Sequence, residues 1–211
     1  MDKSLTMIFA LIITLSIFSL GLSLNYLMDN QRINDLSKSL REQEINFYST
    51  LLKDELTTNF GYVDCYSMEN DINLYEQSIA SLGSSIVAYN SKSFFRKQEF
   101  DFLKSTYFYT KLKLYLYVTE YNNLCRTFYK PIIFFYREEN EDDTIQGYIL
   151  TEYSKNKEEV IVFSFDMDYD KNVFLESLKL RYNITETPAL IYNSTVYKRT
   201  VYEAELNELI K

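Results

Sequence analysis

Between Lys3 and Asp29 the chain carries no charged residue. That stretch, Ser4 to Met28, holds Met7-Ile8-Phe9-Ala10-Leu11-Ile12-Ile13 and continues through Leu15, Ile17, Phe18, Leu20, Leu22 and Leu24. As a helix rising 1.5 Å per residue it would be roughly 35 Å long, enough to cross a hydrocarbon core of about 30 Å. A cleaved signal is the alternative, because Ser19-Leu20-Gly21 offers small residues at a cleavage position. The apolar run is longer than the usual signal core of ~7–15 residues, so residues 4–28 read as a signal-anchor in the membrane. Positive charges flank it on both sides, at Lys3 and at Arg32, Lys38 and Arg41, and set no clear inside. The sequons Asn183-Ile184-Thr185 and Asn193-Ser194-Thr195 point to an extracytoplasmic C-terminal part.

Composition excludes several classes of chemistry. The chain has no His, which removes Ser-His-Asp and Cys-His nucleophiles and the usual zinc sets. With a formal net charge of -8 and no basic stripe, nucleic acid is not an expected partner. No metal site or cofactor is expected. Gly and Pro are scarce and 20 Tyr and 15 Phe are present, which indicates a helix-rich globular chain with half-buried aromatic surfaces.

After Asp29 the pattern is helical. Ile33, Leu36, Leu40, Phe47 and Leu51 lie near a heptad seam that Glu44 interrupts, giving a juxtamembrane helix that Gly61 ends. A second helix is predicted from about Asn70, with Ile72, Tyr75, Ile79, Leu82 and Ile86 on one face, until Asn90-Ser91-Lys92-Ser93 breaks it. A third spans about Phe94 to Leu124, with Leu103, Tyr107, Leu114 and Tyr121 on its stripe. Then strands and helices alternate. Lys130 to Tyr136 and Glu159 to Phe165 read as buried strands, with helices around Ile145–Tyr153 and Val173–Leu180. A hairpin of Ala189–Tyr192 and Val196–Val201 and a closing helix from Glu203 complete the chain.

This order, with Phe134-Phe135-Tyr136 before a loop, Asp166-Met167-Asp168 after the next strand and Thr187-Pro188 before the hairpin, resembles a thioredoxin-fold domain. The resemblance covers Tyr129 to Lys211 and implies an α/β fold class: a thioredoxin-like C-terminal domain (128–211) behind a transmembrane anchor (1–28) and a helical stalk and hairpin (29–127). In that family the loop carries Cys-x-x-Cys. Its two places fall here on Asn140 and Asp143, neither of which can be a thiolate, so the site should be redox-inactive. The family's proline is cis and shapes a groove for extended peptide, which makes Thr187 and Pro188 the implied peptide-binding edge.

The acidic loop Glu138 to Asp143 is expected to cap its helix through Asp142 or Asp143 rather than hold a cation. Asp166-Met167-Asp168-Tyr169-Asp170 reads as a strand-to-helix turn, since Lys171 and Ser177 replace the Gly and Glu of a calcium loop. Cys65 and Cys125 are the only cysteines, each near a helix end. In an oxidising compartment they form a disulfide; otherwise they are two buried thiols. The leading expectation is a membrane-anchored, redox-inactive module that binds a protein or peptide. The alternative is a thiol–disulfide oxidoreductase using Cys65 and Cys125.

Overall fold

A computed structural model describes residues 3–90, 97–127, 129–170 and 172–210. Three long helices come first: α1 (Lys3–Asn59), α2 (Cys65–Asn90) and α3 (Lys97–Cys125). They are followed by β1 (Lys130–Tyr136), α4 (Glu141–Lys155), β2 (Val160–Asp166) and α5 (Val173–Arg181). The chain closes with β3 (Ala189–Tyr192), β4 (Thr195–Tyr197) and α6 (Glu203–Leu209).

The 57 residues of α1 make one helix about 85 Å long. The large apolar side chains from Leu5 to Met28 are exposed with nothing packed on them, Met7 at 77% and Leu11 at 66%. Hydroxyls in this stretch donate back into the helix, Thr14 to the Ala10 carbonyl (2.9 Å), Ser16 to Ile12 (2.8 Å) and Ser23 to Ser19 (2.9 Å). A polar group bonded within its own helix needs no water, which suits a hydrocarbon surrounding. By length and composition α1 can cross a membrane. From Ile33 onward it changes character, burying Ile33, Leu36, Leu40 and Phe47 as one stripe. It stops at Gly61, whose φ of +75° favours a residue without Cβ.

Next, α2 folds back along α1: Thr50 meets the Tyr75 hydroxyl (2.7 Å), and Lys53, further along α1, reaches the earlier Ser67 (2.7 Å). It begins at Cys65, earlier than the hydrophobic pattern indicates, because the Asp64 carboxylate accepts the Ser67 N–H and caps it (3.0 Å). The expected break at Ser91–Ser93 and the expected start of the third helix at Phe94 lie outside the described residues. Cys65 and Cys125 form a disulfide, which clamps the start of α2 to the end of α3 and makes the pair antiparallel.

The four-stranded sheet has the order β2-β1-β3-β4, with β1 parallel to β2 and antiparallel to β3. Its last strand covers only Thr195–Tyr197, short of the expected Val201. Asn193 and Ser194 both take positive φ in the connecting turn. On one face Ile132, Phe134 and Leu190 pack with Leu150 of α4 and Leu206 of α6. Buried Gln146 exchanges two hydrogen bonds with the Val201 backbone there (3.2 and 2.6 Å).

The other face is covered by α3. Phe108 meets Phe165 edge-on at 5.6 Å, and Tyr115 meets Phe163 at 5.5 Å. Its buried residues belong to the same apolar cluster as Ile33, Leu36, Ile72 and Val118 of the helices. This overturns the expected fold class. The α/β, thioredoxin-like C-terminal domain gives way to a mainly helical body, with six helices among the described residues and a small sheet built into its core. The physical reason is the shared core: one face of the sheet is closed by a helix from the preceding half of the chain.

Candidate functional site

The loop after β1 is fixed by its polar side chains. Asn140 caps α4 by accepting the N–H groups of Asp142 (2.9 Å) and Asp143 (3.2 Å), so the capping expected of an aspartate falls to the asparagine. Oδ2 of Asp143 accepts the Arg137 N–H and the Thr187 hydroxyl, each at 2.7 Å. The Thr187–Pro188 bond is cis and Pro188 is buried. Asn140, Asp143, Thr187 and Pro188 are thus brought to one place, where Thr187 spends its hydroxyl internally. Edges of the sheet are β2 and β4, whereas Pro188 leads into the interior strand β3. The two cysteines lie elsewhere. Cys125 is 21 positions beyond Lys104, whose ammonium reaches Glu138 of the loop (3.5 Å), and that is roughly 30 Å along α3.

Beside this junction α2, α3, β1 and α4 enclose a cleft of about 820 Å³. Its apolar wall includes Ile86, Val87, Phe100, Phe108 and Phe134. A Cβ on Gly83 would stand 2.5 Å from the Tyr107 hydroxyl, so a larger residue there would displace the Tyr107 ring. Burial pushes that phenol up to about 12. Lys111 is 8% exposed and donates to the Ser164 carbonyl. Its Nζ stands over the rings of Tyr107 (4.9 Å), Phe165 (5.3 Å) and Phe108 (5.9 Å). Burial pushes this amine down to about 7.

Lys104 has a different setting. Its ammonium pairs with Asp166 (2.7 Å) and Glu138 (3.5 Å). Burial alone would lower it, but bonding to Asp166 and the two carboxylate charges outweigh that and raise it. Asp166 also accepts the Asp168 N–H (3.0 Å), and Asn172 caps α5, so the acidic run after β2 forms a strand-to-helix turn; Lys171 lies outside the described residues. One residue of the cleft lining stands apart. Asp143 is 3% exposed, and its Oδ1 is buried without a hydrogen-bond partner. Nothing in the hydrophobic pattern of the sequence marks this cleft. Its signal was Lys104 and Lys111 seven residues apart beside an aromatic stripe, a place where solvated lysines are uncommon.

No family model matches this chain, and no curated protein matches it. A solved structure described as "Structure of a malarial protein" aligns with 38% of this chain and 92% of its own, at 20% identity and a TM-score of 0.33.

Proposed function

We propose that the protein is a single-pass membrane protein whose extracytoplasmic body is a non-catalytic binding module, with the cleft between α2, α3, β1 and α4 as its working site. The cleft carries this reading: a cavity of some 820 Å³ with an apolar wall and a few fixed polar groups has the size and make-up of a ligand site. The bare apolar half of α1 supports the anchor. A disulfide suits an oxidising compartment, and both sequon asparagines, Asn183 and Asn193, are exposed. Asn140 and Asp143 supply no thiolate, and Cys65 and Cys125 bond each other at the far end of α3. A substrate thiolate could attack the Cys65–Cys125 bond, but that bond lies far along α3 from the cleft and from the Thr187–Pro188 turn, which favours the binding module over the oxidoreductase alternative.

Two measurements test this. The full chain in detergent should not accelerate insulin reduction by dithiothreitol; turnover lost in Cys65→Ser would replace the reading with the enzyme. A photo-crosslinking residue placed at Val87, in the cleft wall, should give adducts in native membranes that the same residue at exposed Leu180 does not. Absence of any Val87 adduct would remove the cleft as a working site.

A further inference from the structure

The cleft runs along an open strand edge. Phe108 and Lys111 enter it from one face of the sheet and Phe134 and Gly147 from the other, with Ser164 of β2 between them. It therefore wraps the outer edge of β2, which has no strand beside it. In a parallel ladder alternate residues turn both backbone groups to the same neighbour. The Glu159 carbonyl accepts the Lys130 N–H and the Met167 N–H donates to the Tyr136 carbonyl, each at 2.7 Å, so odd-numbered positions along β2 serve β1. Even-numbered positions turn outward, and Lys111 accordingly bonds the Ser164 carbonyl from outside the ladder. At the two ends Val160 donates to the Lys157 carbonyl (2.9 Å) and the Asp166 carbonyl accepts from Tyr169 (3.3 Å). In the middle, the N–H and C=O of Val162 and the N–H of Ser164 are bonded by no described residue. Both residues are only half-buried, and Ser164 lines the cleft.

The walls suit an extended backbone. Small side chains line both flanks, Ala80, Gly83 and Ser84 on α2 and Thr144, Gly147 and Thr151 on α4, which keeps the approach to the edge open. Charge selects nothing here, because Lys104, Lys111 and Arg137 offset Glu138, Glu139 and Asp143 in the lining. Free N–H and C=O groups at strand spacing are met instead by another backbone. The opposite sheet edge offers less, since β4 has 3 residues against 7 in β2. Resting on the binding-module reading above, we infer that the cleft takes an extended segment of a partner protein, which adds to the sheet as a further strand through Val162 and Ser164. Side chains of an added strand alternate between the two faces. One set meets Phe100 and Phe108 of the apolar wall and the other the small residues of α4, so the segment carries apolar residues at every second position.

The experiment selects phage-displayed random peptides on the full chain in detergent and resynthesises those recovered. N-methylating alternate amides of such a peptide should weaken binding about tenfold or more in one phase and leave it unchanged in the other, because only one phase faces β2. Ser164→Pro should weaken binding by a similar factor, since proline at an outward-facing edge position takes no bond from the ladder but removes the free N–H. Ser164→Ala should bind as the wild type does. Deuterium exchange at the Val162 and Ser164 amides should slow when the peptide is bound. Gly147→Leu fills the cleft from a position where a Cβ stands 3.8 Å from Phe134, and should abolish binding. Recovery of no peptide, binding indifferent to Gly147→Leu, or equal losses from both methylation phases overturns the inference. If Val87 then still captures a polypeptide in native membranes, the binding module stands with its ligand held in another way; if it captures nothing, both readings fall.

Discussion

Lys111 shows how little a side chain's identity says about its state. In sequence it is one of three lysines in the first seventeen residues of α3 after Lys97, beside Lys104 and Lys113. Lys113 bonds Glu44 of α1 at the surface (3.1 Å), while Lys111, two positions away, lies under the sheet. Nothing local separates them; the packing of α3 on β2 does. Its amine is pushed down to about 7 when folded, against an ordinary 10.5. Between those values the unfolded chain binds the proton more, so stability should climb as pH rises from about 7 towards about 10.5 and stay flat below 7. The burden below 7 is on the order of 5 kcal/mol, reduced by the aromatic faces around the cation. Tyr107 is pushed up to about 12 and stays neutral through most of this window, and Lys104 stays charged. Lys111→Met should therefore raise the urea midpoint at pH 7 and flatten the rise to pH 10; an unchanged pH profile would show that the amine is not desolvated. The cap of α4 is legible only in part: a helix start after a loop asks for one, but the acidic pattern points to Asp142 or Asp143, whereas Asn140 supplies it.

At the scale of elements, periodicity located the long helices and the two buried strands, since an apolar stripe or run is a local property. It did not say what each stripe faces. Leu103, Tyr107 and Leu114 mark α3 as buried, but Phe108 and Tyr115, off that stripe, are the residues that reach Phe165 and Phe163. An aromatic one position off a stripe looks like a half-exposed surface residue until a second layer covers it, which is why the sequence pattern alone sets the sheet in a separate α/β domain. The disulfide belongs to this scale as well. It closes a loop with a sequence separation of 60, worth roughly 4 kcal/mol by chain-entropy arithmetic. Cys65→Ser with Cys125→Ser should lower the unfolding free energy in denaturant titration by about 4 kcal/mol with the helical signal retained. A loss under about 1 kcal/mol would mean that the helices hold one another without the clamp.

For the whole molecule, a helix able to cross a membrane is legible from the absence of charge alone, and its continuity with the body is not. Nothing between Gly21 and Gly61 interrupts the helix, so the exposed apolar half and the buried stripe share one axis. The full chain should resist carbonate extraction, and a chain beginning at Asn30 should be soluble. Protease added outside intact cells should degrade the body, whereas complete protection would place it in the cytoplasm.

The bond between Cys65 and Cys125 has a consequence for cleavage. Every peptide bond from Tyr66 to Leu124 lies inside a covalent ring. A single cut there, for example at the junction between α2 and α3, yields two fragments that remain one molecule, the anchor on one and the sheet on the other. Such a nick should leave the full mass in gels without reductant, and the sheet should leave the membrane only once thiol is added. Shedding of the body in one cut therefore requires a site before Cys65, within the single rod of α1 or the short bend that follows it.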